Sequence, residues 1–240
     1  MKTIQDSQTS NFTTTSLLEE CELDNVDCPI CQNKGYIPYV KDGALFSKEC
    51  ECMNKRRSIR RIQKSNMTDM LMRYTFDAYQ TPDADRHQIK HMAKRFAEDD
   101  SGWFYICGQS GSGKSHICTA ICARLIDRGN DVYYMRWRDE SRQLKAMITE
   151  NLDENLDRLK TVPVLYIDDF FKGGCSDADL RLAFEIINSR YNDSKLRTIF
   201  SSEMMLKKVM ALDEALGSRI YERAKGYIIS APSENWRTKQ

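Results

Sequence analysis

The sequence predicts an α/β fold in which a parallel β-sheet carries a phosphate-binding loop, preceded by a small cysteine-rich module. Three observations predict this fold. Short apolar segments alternate with helical patterns, and strands that alternate with helices form parallel sheets covered on both faces. A glycine-rich loop follows one of the apolar segments, and two cysteine pairs lie near the N-terminus. The 240 residues are enough for one α/β domain with a small appendage.

Five apolar segments are typical of buried strands, because each is short and rich in β-branched or aromatic residues. They are residues 103–107, 132–135, 164–167, 198–201 and 227–229. Residues 85–98 have a helical pattern, and another helix is predicted to begin near His116, directly after the glycine-rich loop. We therefore expect the loop to connect a strand to a helix.

The overall charge argues against several classes of partner. The chain has 36 basic and 35 acidic residues and a formal net charge of +1, so nothing global suggests a nucleic-acid coat or membrane-surface binding. The N-terminus lacks the pattern of a signal peptide, and no stretch approaches the roughly 18 apolar residues of a membrane span. We expect a cytoplasmic protein without a membrane partner.

The loop after the first apolar segment has the eight-position P-loop pattern, GQSGSGKS. The predicted nucleotide site consists of this loop and the residue after it: Gly108, Gln109, Ser110, Gly111, Ser112, Gly113, Lys114, Ser115 and His116. The glycines let backbone N–H groups converge on phosphate oxygens, Lys114 brings positive charge to the β- and γ-phosphates, and Ser115 offers a hydroxyl to Mg²⁺. The pattern predicts Mg·ATP binding; the alternative is an ordinary glycine-rich turn with a surface lysine.

Two carboxylates, Asp168 and Asp169, follow the apolar segment at 164–167. A carboxylate at the end of such a strand can hold Mg²⁺ opposite Ser115, and we assign this role to Asp168. Asp169 would then face the γ-phosphate and orient or deprotonate the attacking water, which predicts ATP hydrolysis. The alternative for Asp169 is a strand-end carboxylate that caps the next turn.

The cysteine pairs, Cys28 with Cys31 and Cys50 with Cys52, flank a predicted hairpin whose turn is Asp-Gly at 42–43. Thiolates from two turns at one end of a hairpin can form a tetrahedral Zn²⁺ site, which would be structural because four cysteines leave no position open for water. The second pair is C-x-C rather than C-x-x-C, so one ligand could come from elsewhere. The alternatives are a redox pair and inert reduced cysteines.

With these motifs placed, residues 74–231 resemble the DnaC/DnaI-type helicase loaders of the AAA+ superfamily, with the transposase-helper IstB ATPases as relatives. The resemblance rests on five stretches: residues 74–76 (YTF), the GQSGSGKS loop, the YIDD segment, residues 197–202 (RTIFSS) and residues 217–223 (GSRIYER). It implies adenine contacts near Tyr74 and Phe76, although both aromatic residues could instead belong to the core.

The resemblance also implies three further catalytic residues. Ser202 lies where the family senses the γ-phosphate, usually with asparagine, and the alternative is a strand end in solvent. Arg219 and Arg223 match a helix whose arginines reach the ATP of a neighbouring subunit, so we expect a homo-oligomer. The alternative for either arginine is a surface ion pair with Glu222 or Asp213.

The predicted organisation is a flexible tail at residues 1–20, a zinc-binding module at 21–54, a basic linker helix at 55–73 and an AAA+ ATPase domain at 74–240. The tail is rich in polar residues with few apolar anchors. The basic face of the linker is either solvated or bound to nucleic-acid phosphates. The chain ends soon after the arginine-bearing helix, so we expect no C-terminal lid domain.

By resemblance, the expected function is ATP-driven loading of a replicative DNA helicase onto single-stranded DNA, with the zinc module docking on the helicase. A phage or a mobile element is one setting for this task. The alternatives are an IstB-like transposition helper that acts on double-stranded DNA, a P-loop kinase, and an adaptor that binds ATP without hydrolysing it.

Overall fold

The computed structural model describes residues 26–64, 68–147 and 149–232. The predicted tail at residues 1–20 lies outside this range. The described chain divides into two compact units between Arg56 and Arg57. No helix among the described residues is both long enough and apolar enough to cross a membrane.

The first unit is built on an antiparallel hairpin of β1 (Tyr36–Lys41) and β2 (Ala44–Glu49). Between the strands, Asp42 and Gly43 have φ angles of 51° and 77°. Positive φ at both central residues is the geometry of a type I′ turn, which matches the right-handed twist of the strands. The predicted Asp-Gly hairpin is therefore confirmed.

The second unit contains a five-stranded sheet in the order β4-β5-β6-β3-β7, in which every neighbouring pair is parallel. Its strands are β3 (Phe104–Cys107), β4 (Val132–Arg136), β5 (Val164–Phe170), β6 (Arg197–Ser202) and β7 (Ile228–Ser230). All five strands predicted from apolar segments are present. Because the strands are parallel, their carboxyl ends meet at one edge, where the P-loop also lies.

The helices of the structure are α1 (Cys52–Lys64), α2 (Thr68–Arg73), α3 (Ala84–Glu98), α4 (Lys114–Asp127), α5 (Trp137–Ala146), α6 (Thr149–Thr161), α7 (Asp177–Tyr191), α8 (Leu206–Leu212) and α9 (Glu214–Arg223). The single linker helix expected at residues 55–73 is described as α1 and α2, with residues 65–67 outside the described range. Helix α4 begins at Lys114 rather than near His116, so Lys114 and Ser115 belong to its first turn.

Apolar side chains fill both faces of the sheet. Phe104 and Ile106 point to one face and join a core with residues of α3 and α4. Tyr105 and Cys107 point to the other face and pack with residues of α5 to α9. This alternation follows from the period of two along a strand. It confirms the predicted parallel sheet with helices on both faces.

A buried arginine ties the helices of one layer to the sheet. Arg190 of α7 is fully buried, and burial lowers its pKa to about 9. Its guanidinium donates hydrogen bonds to the carbonyls of Leu159, Val162 and Arg197 and to the hydroxyl of Thr198. These bonds join α6, α7 and the start of β6, because a buried guanidinium is stable only when its donors are satisfied.

Candidate functional site

The P-loop joins β3 to α4 and requires glycine at two of its positions. Gly108 has a φ of 152°, and a Cβ there would lie 3.0 Å from the carbonyl oxygen of Ala231. Gly113 caps α4 with a φ of 89°, and its Cβ would lie 3.3 Å from a ring carbon of Tyr79. Side chains at these positions would strain the backbone and crowd the loop. The two glycines thus let the chain turn directly into α4, and the N–H groups of a helix N-terminus attract anions.

Lys114 lies beneath the loop and is 5% exposed. Its Nζ donates to the carbonyl oxygens of Gly108 (2.9 Å) and Gln109 (2.7 Å). Burial lowers the pKa of Lys114, although the carboxylates of Glu203 and Asp169 oppose that shift. An ammonium held only by carbonyls can exchange them for phosphate oxygens, because a charge-assisted bond to an anion is stronger.

Asp168 is a buried carboxylate that accepts hydrogen bonds from four hydroxyl groups. Its Oδ1 accepts from Ser115 (3.1 Å), Tyr166 (2.7 Å) and Ser201. Its Oδ2 accepts from Tyr134 at 3.0 Å. The donors come from α4, β4, β5 and β6, so this carboxylate joins the P-loop helix to three neighbouring strands. Sequence reasoning missed Tyr134, Tyr166 and Ser201; their common signal is a hydroxyl near the carboxyl end of a buried strand.

A bulge in β5 separates the surroundings of the two aspartates. The pairing of β5 with β6 shifts register between Ile167 and Phe170. Asp169, inside this shift, has a φ of 55°, and its N–H donates to the hydroxyl of Ser201 at 3.1 Å. Bulges re-aim side chains at sheet edges. As a result Asp169 faces the cavity above the P-loop, whereas Asp168 is buried beneath it.

That cavity has a volume of about 410 Å³. It is lined by Arg73, Tyr74, Ser110, Gly111, Gly113, Lys114, Ser115, His116, Asp169, Lys172 and Glu203. The structure thus brings most of the predicted P-loop residues together with Asp169. It also adds three charged residues that the sequence analysis did not assign to the site, Arg73, Lys172 and Glu203.

Lys172 connects the two cavity carboxylates. Its Nζ donates to Oδ2 of Asp169 at 3.0 Å and lies 3.5 Å from Oε1 of Glu203. Burial lowers the pKa of Lys172, but the hydrogen bond and the charge of Asp169, together with Glu203, outweigh burial and raise it above its ordinary value. No sequence motif identifies Lys172, because its partner Glu203 follows β6 whereas Lys172 follows β5.

Aromatic rings form the opposite end of the cavity. The rings of Tyr74 and His116 stack with centroids 4.8 Å apart and an interplanar angle of 19°. Nε2 of His116 donates to the carbonyl of Thr75 at 2.9 Å, and burial lowers the pKa of His116. Phe76 packs against the apolar core instead. A flat, apolar wall of this kind suits a purine base.

The predicted sensor, Ser202, is fully buried at the end of β6. Its hydroxyl donates to the carbonyl of Phe170 at 2.7 Å and accepts from the N–H of Met204 at 2.9 Å. The hydroxyl therefore bonds to the backbone of two adjacent segments. Glu203, the next residue, is the one at this strand end that lines the cavity.

The predicted arginines of α9 contact aromatic rings and backbone carbonyls of their own chain. Arg219 lies over the rings of Phe184 and Tyr191, at 5.1 and 5.5 Å. Arg223 lies 5.5 Å from the ring of Trp103 and donates to the carbonyls of residues 193, 194 and 196. Among the residues described, neither arginine lines the P-loop cavity.

The four cysteines of the first unit form one cluster. The Sγ atoms of Cys28, Cys31, Cys50 and Cys52 all lie within 4.8 Å of one another. Cys28 and Cys50 are 3.8 Å apart, and Cys31 and Cys52 are 3.5 Å apart. Tetrahedral Zn²⁺ with Zn–S bonds of about 2.3 Å places its sulfur atoms about 3.8 Å apart. The cluster therefore fits a four-cysteine zinc site. The C-x-C spacing of the second pair still brings both Cys50 and Cys52 into the cluster.

Comparison with known proteins assigns the family. The model of the IstB-like ATP binding protein family matches residues 32–240. The chain belongs to this family. YqaM of Bacillus subtilis, which has no assigned function, is 29% identical over 77% of this chain; the match spans 63% of YqaM, less than two thirds of its length. XkdC, a protein of the phage-like element PBSX in the same organism, is 28% identical over 88% of this chain and 84% of its own.

Two further matches are a protein named as a replicative helicase loader and a solved crystal structure. The replicative helicase loader DnaC of Buchnera aphidicola is 26% identical over 77% of each chain. The crystal structure of DnaI is 26% identical, covers 70% of this chain and 92% of its own, and superposes with a TM-score of 0.60. The predicted resemblance to DnaC/DnaI-type proteins and the predicted AAA+ P-loop fold are confirmed.

Replacing Asp168 tests its role in holding the site together. Asp168→Ala would leave the buried hydroxyls of Tyr134, Tyr166 and Ser201 without their acceptor, and should lower the free energy of unfolding by about 3 kcal/mol. Asp168→Asn keeps the shape and one acceptor oxygen and should lower it by about 1 kcal/mol. Urea unfolding followed by the fluorescence of the buried Trp103 and Trp137 measures both. Equal losses in the two variants would contradict this account.

Proposed function

We propose that this protein is a cytoplasmic AAA+ ATPase that binds and hydrolyses ATP to load a replicative DNA helicase onto single-stranded DNA. The observation that carries the ATPase part is the convergence of the P-loop, Ser115 beside Asp168, and Asp169 at one end of a cavity. The helicase part rests on the similarity to DnaC, which is named as a replicative helicase loader.

The residues present fit Mg·ATP. Ser115 and Asp168, whose side chains lie 3.1 Å apart, would hold Mg²⁺, which supplies positive charge between the β- and γ-phosphates when bound. Lys114 would leave its two loop carbonyls for phosphate oxygens. The stacked rings of Tyr74 and His116 would contact the adenine. The backbone N–H groups at the start of α4, from Gly113 to Ser115, would hold the phosphates.

Asp169 is the proposed base of the hydrolysis. Its carboxylate faces the cavity, and it is 28% exposed, so a water molecule can reach it. A carboxylate at this place can orient the water or accept its proton as the bond to the γ-phosphate breaks. Ser202, whose hydroxyl bonds to two backbone groups, would sense the phosphate only indirectly, by holding the end of β6.

Replacing Asp169 tests hydrolysis. Asp169→Asn should bind Mg·ATP at least as tightly as the unmodified protein and release phosphate at least about 100-fold more slowly, because the base is lost while the phosphate contacts remain. Lys114→Ala is the matched control that should lose nucleotide binding as well. Phosphate release is measured without an added acceptor, since a P-loop kinase would then release little. Unchanged turnover in Asp169→Asn would reject this assignment.

A homo-oligomer is proposed because the arginines of α9 do not reach their own chain's cavity. In a ring or filament, one of them would meet the nucleotide of a neighbouring subunit and stabilise charge that develops during phosphoryl transfer. Arg223 is held by three backbone carbonyls of its own chain. Arg219 contacts rings and one carbonyl of its own helix, which supports Arg219 for the contact in trans.

The cysteine cluster of the first unit is proposed to hold a structural Zn²⁺. A hairpin alone buries too little apolar surface to be stable, and a metal offsets that deficit. The N–H of Gly35 also points at Sγ of Cys31 at 3.3 Å, as expected for a thiolate acceptor.

Metal analysis tests this proposal. The protein purified without chelators should contain one zinc per chain, and Cys50→Ser should lower both the zinc content and the thermal stability of the first unit. Cys175→Ser, outside the cluster and only partly buried, is the control and should keep the metal. Zinc content well under one per chain after mild purification would remove the proposal.

The hairpin of the first unit carries exposed apolar side chains that fit a docking role. Val40 is 70% exposed and Leu45 is 76% exposed, beside the half-exposed rings of Tyr39 and Phe46. The two rings stack at 5.7 Å across the strands. Exposed apolar groups collected on one small element are typical of interaction surfaces. This hairpin is the proposed contact with the helicase.

Native mass spectrometry of the protein mixed with its host's replicative helicase tests the loader function. A helicase hexamer carrying several copies of this chain is expected, with stability that depends on Mg·ATP and is lost in Lys114→Ala. Leu45→Asp should weaken the complex at least tenfold without changing ATP binding. Leu212→Asp, at an exposed position on α8, is the matched control. Absence of a complex in every nucleotide state would reject the helicase partner.

A second candidate is an IstB-like transposition helper, which the family's own name favours. The two functions differ in the DNA they need. A helper should bind double-stranded DNA of increasing length more tightly in ATP, whereas a loader should prefer single strands. Binding to both forms under matched salt separates them, because phosphate contacts weaken with salt. Similarity to a protein of a phage-like element supports a mobile-element setting in either case.

A further inference from the structure

Two carboxylates face the cavity in which the proposed function places the ATP phosphates. Asp169 and Glu203 both line this cavity together with Lys114. Carboxylates beside phosphate oxygens repel them, and the repulsion grows where water is partly excluded. A site for Mg·ATP with this composition needs a further positive charge close to the two carboxylates.

Lys172 supplies that charge. Its Nζ lies 3.0 Å from Asp169 and 3.5 Å from Glu203, and its side chain lines the same cavity. We propose that Lys172 is a positioning residue for hydrolysis, which orients the carboxylate of Asp169 and neutralises Glu203 so that the γ-phosphate can approach. This proposal rests on the proposed ATP hydrolysis.

The backbone fixes where Lys172 can act. Lys172 N–H donates to the carbonyl of Asp169 at 3.0 Å, closing a turn directly after the β5 bulge. Phe171, whose φ is 57°, is 2% exposed and packs against Phe170 and Trp137, with ring centroids 4.0 and 5.4 Å away. The turn is therefore held by core packing, and the Lys172 side chain extends from it to both carboxylates.

The two contacts of Lys172 have separable consequences. The hydrogen bond to Oδ2 of Asp169 sets the direction of that carboxylate, which affects the chemical step. The charge of Lys172 balances Glu203, which affects how readily Mg·ATP enters. The cavity is lined by three cations, Arg73, Lys114 and Lys172, and Lys172 pairs with both carboxylates. Loss of Lys172 therefore leaves Asp169 and Glu203 without this pairing beside the phosphates.

Four variants test this separation: Lys172→Met, Lys172→Arg, Glu203→Gln and the double variant Lys172→Met/Glu203→Gln. For each, kcat and KM for phosphate release are measured together with the Kd of a fluorescent ATP analogue in Mg²⁺. Lys160→Met is the control, because Lys160 pairs with Glu185 at 2.6 Å on the surface of α6 and α7. Thermal melting checks that every variant folds.

The expected pattern separates orientation from charge. Lys172→Met should lower kcat about tenfold and raise KM and Kd about fivefold, whereas Glu203→Gln should lower KM and Kd and leave kcat within about twofold. The double variant should recover KM and Kd but keep the low kcat. Lys172→Arg, which retains charge and donors, should recover most of the kcat and Kd lost in Lys172→Met, and Lys160→Met should behave like the unmodified protein.

Different results overturn different proposals. If Lys172→Met has the same kcat, KM and Kd as the unmodified protein, only the proposed role of Lys172 is overturned. Recovery of kcat in the double variant would overturn orientation of Asp169, since charge would then explain the whole effect. If the unmodified protein binds ATP but releases no phosphate, the proposed hydrolysis fails. In that case an unchanged Kd across the variants would overturn the charge role of Lys172 as well.

Discussion

The site depends on one buried carboxylate. Asp168 accepts hydrogen bonds from hydroxyls on α4, β4, β5 and β6, and these bonds fix the P-loop helix against three strands of the sheet. A carboxylate buried without such donors would be strongly unfavourable, so the four hydroxyl groups stabilise the buried Asp168, and Asp168 is the acceptor that these hydroxyls need. The same network leaves Ser115 and Asp168 side by side, which is the arrangement a bound magnesium ion needs.

Around Asp168 the backbone is held in place, whereas the side chain of Lys114 can exchange its hydrogen-bond partners. The loop glycines and the β5 bulge fix where the N–H groups and Asp169 point. Lys114 instead holds loop carbonyl oxygens that a phosphate could replace, and Lys172 holds the carboxylate of Asp169. Such lysines keep a polar cavity satisfied before the nucleotide arrives, because unpaired charges there would be costly. The chemistry proposed for the cavity requires Lys114 to change partners while Lys172 keeps Asp169 oriented and the backbone stays in place.

The two units are stabilised by different means. The larger unit has apolar cores on both faces of a parallel sheet. It also has a buried arginine, Arg190, which donates four hydrogen bonds to carbonyls and a hydroxyl. The hairpin unit has exposed strands and a compact group of thiols in place of such a core. Small units with so little apolar burial generally need a metal or a disulfide. This difference supports separate tasks, nucleotide chemistry in the large unit and contact with a partner in the small one.

The sequence by itself determined the parallel α/β fold, the Asp-Gly hairpin, the P-loop and the adjacent aspartates, because strand period, glycine spacing and paired residues are local signals. It also predicted the grouping of four cysteines. Only the tertiary structure gave the physical basis for the different surroundings expected of Asp168 and Asp169, which is a bulge whose register shift has no sequence signature here. It likewise brought Lys172 to Glu203 and turned the Ser202 hydroxyl to the backbone. These contacts join separate strand ends, and their geometry follows from how the sheet packs rather than from neighbouring residues.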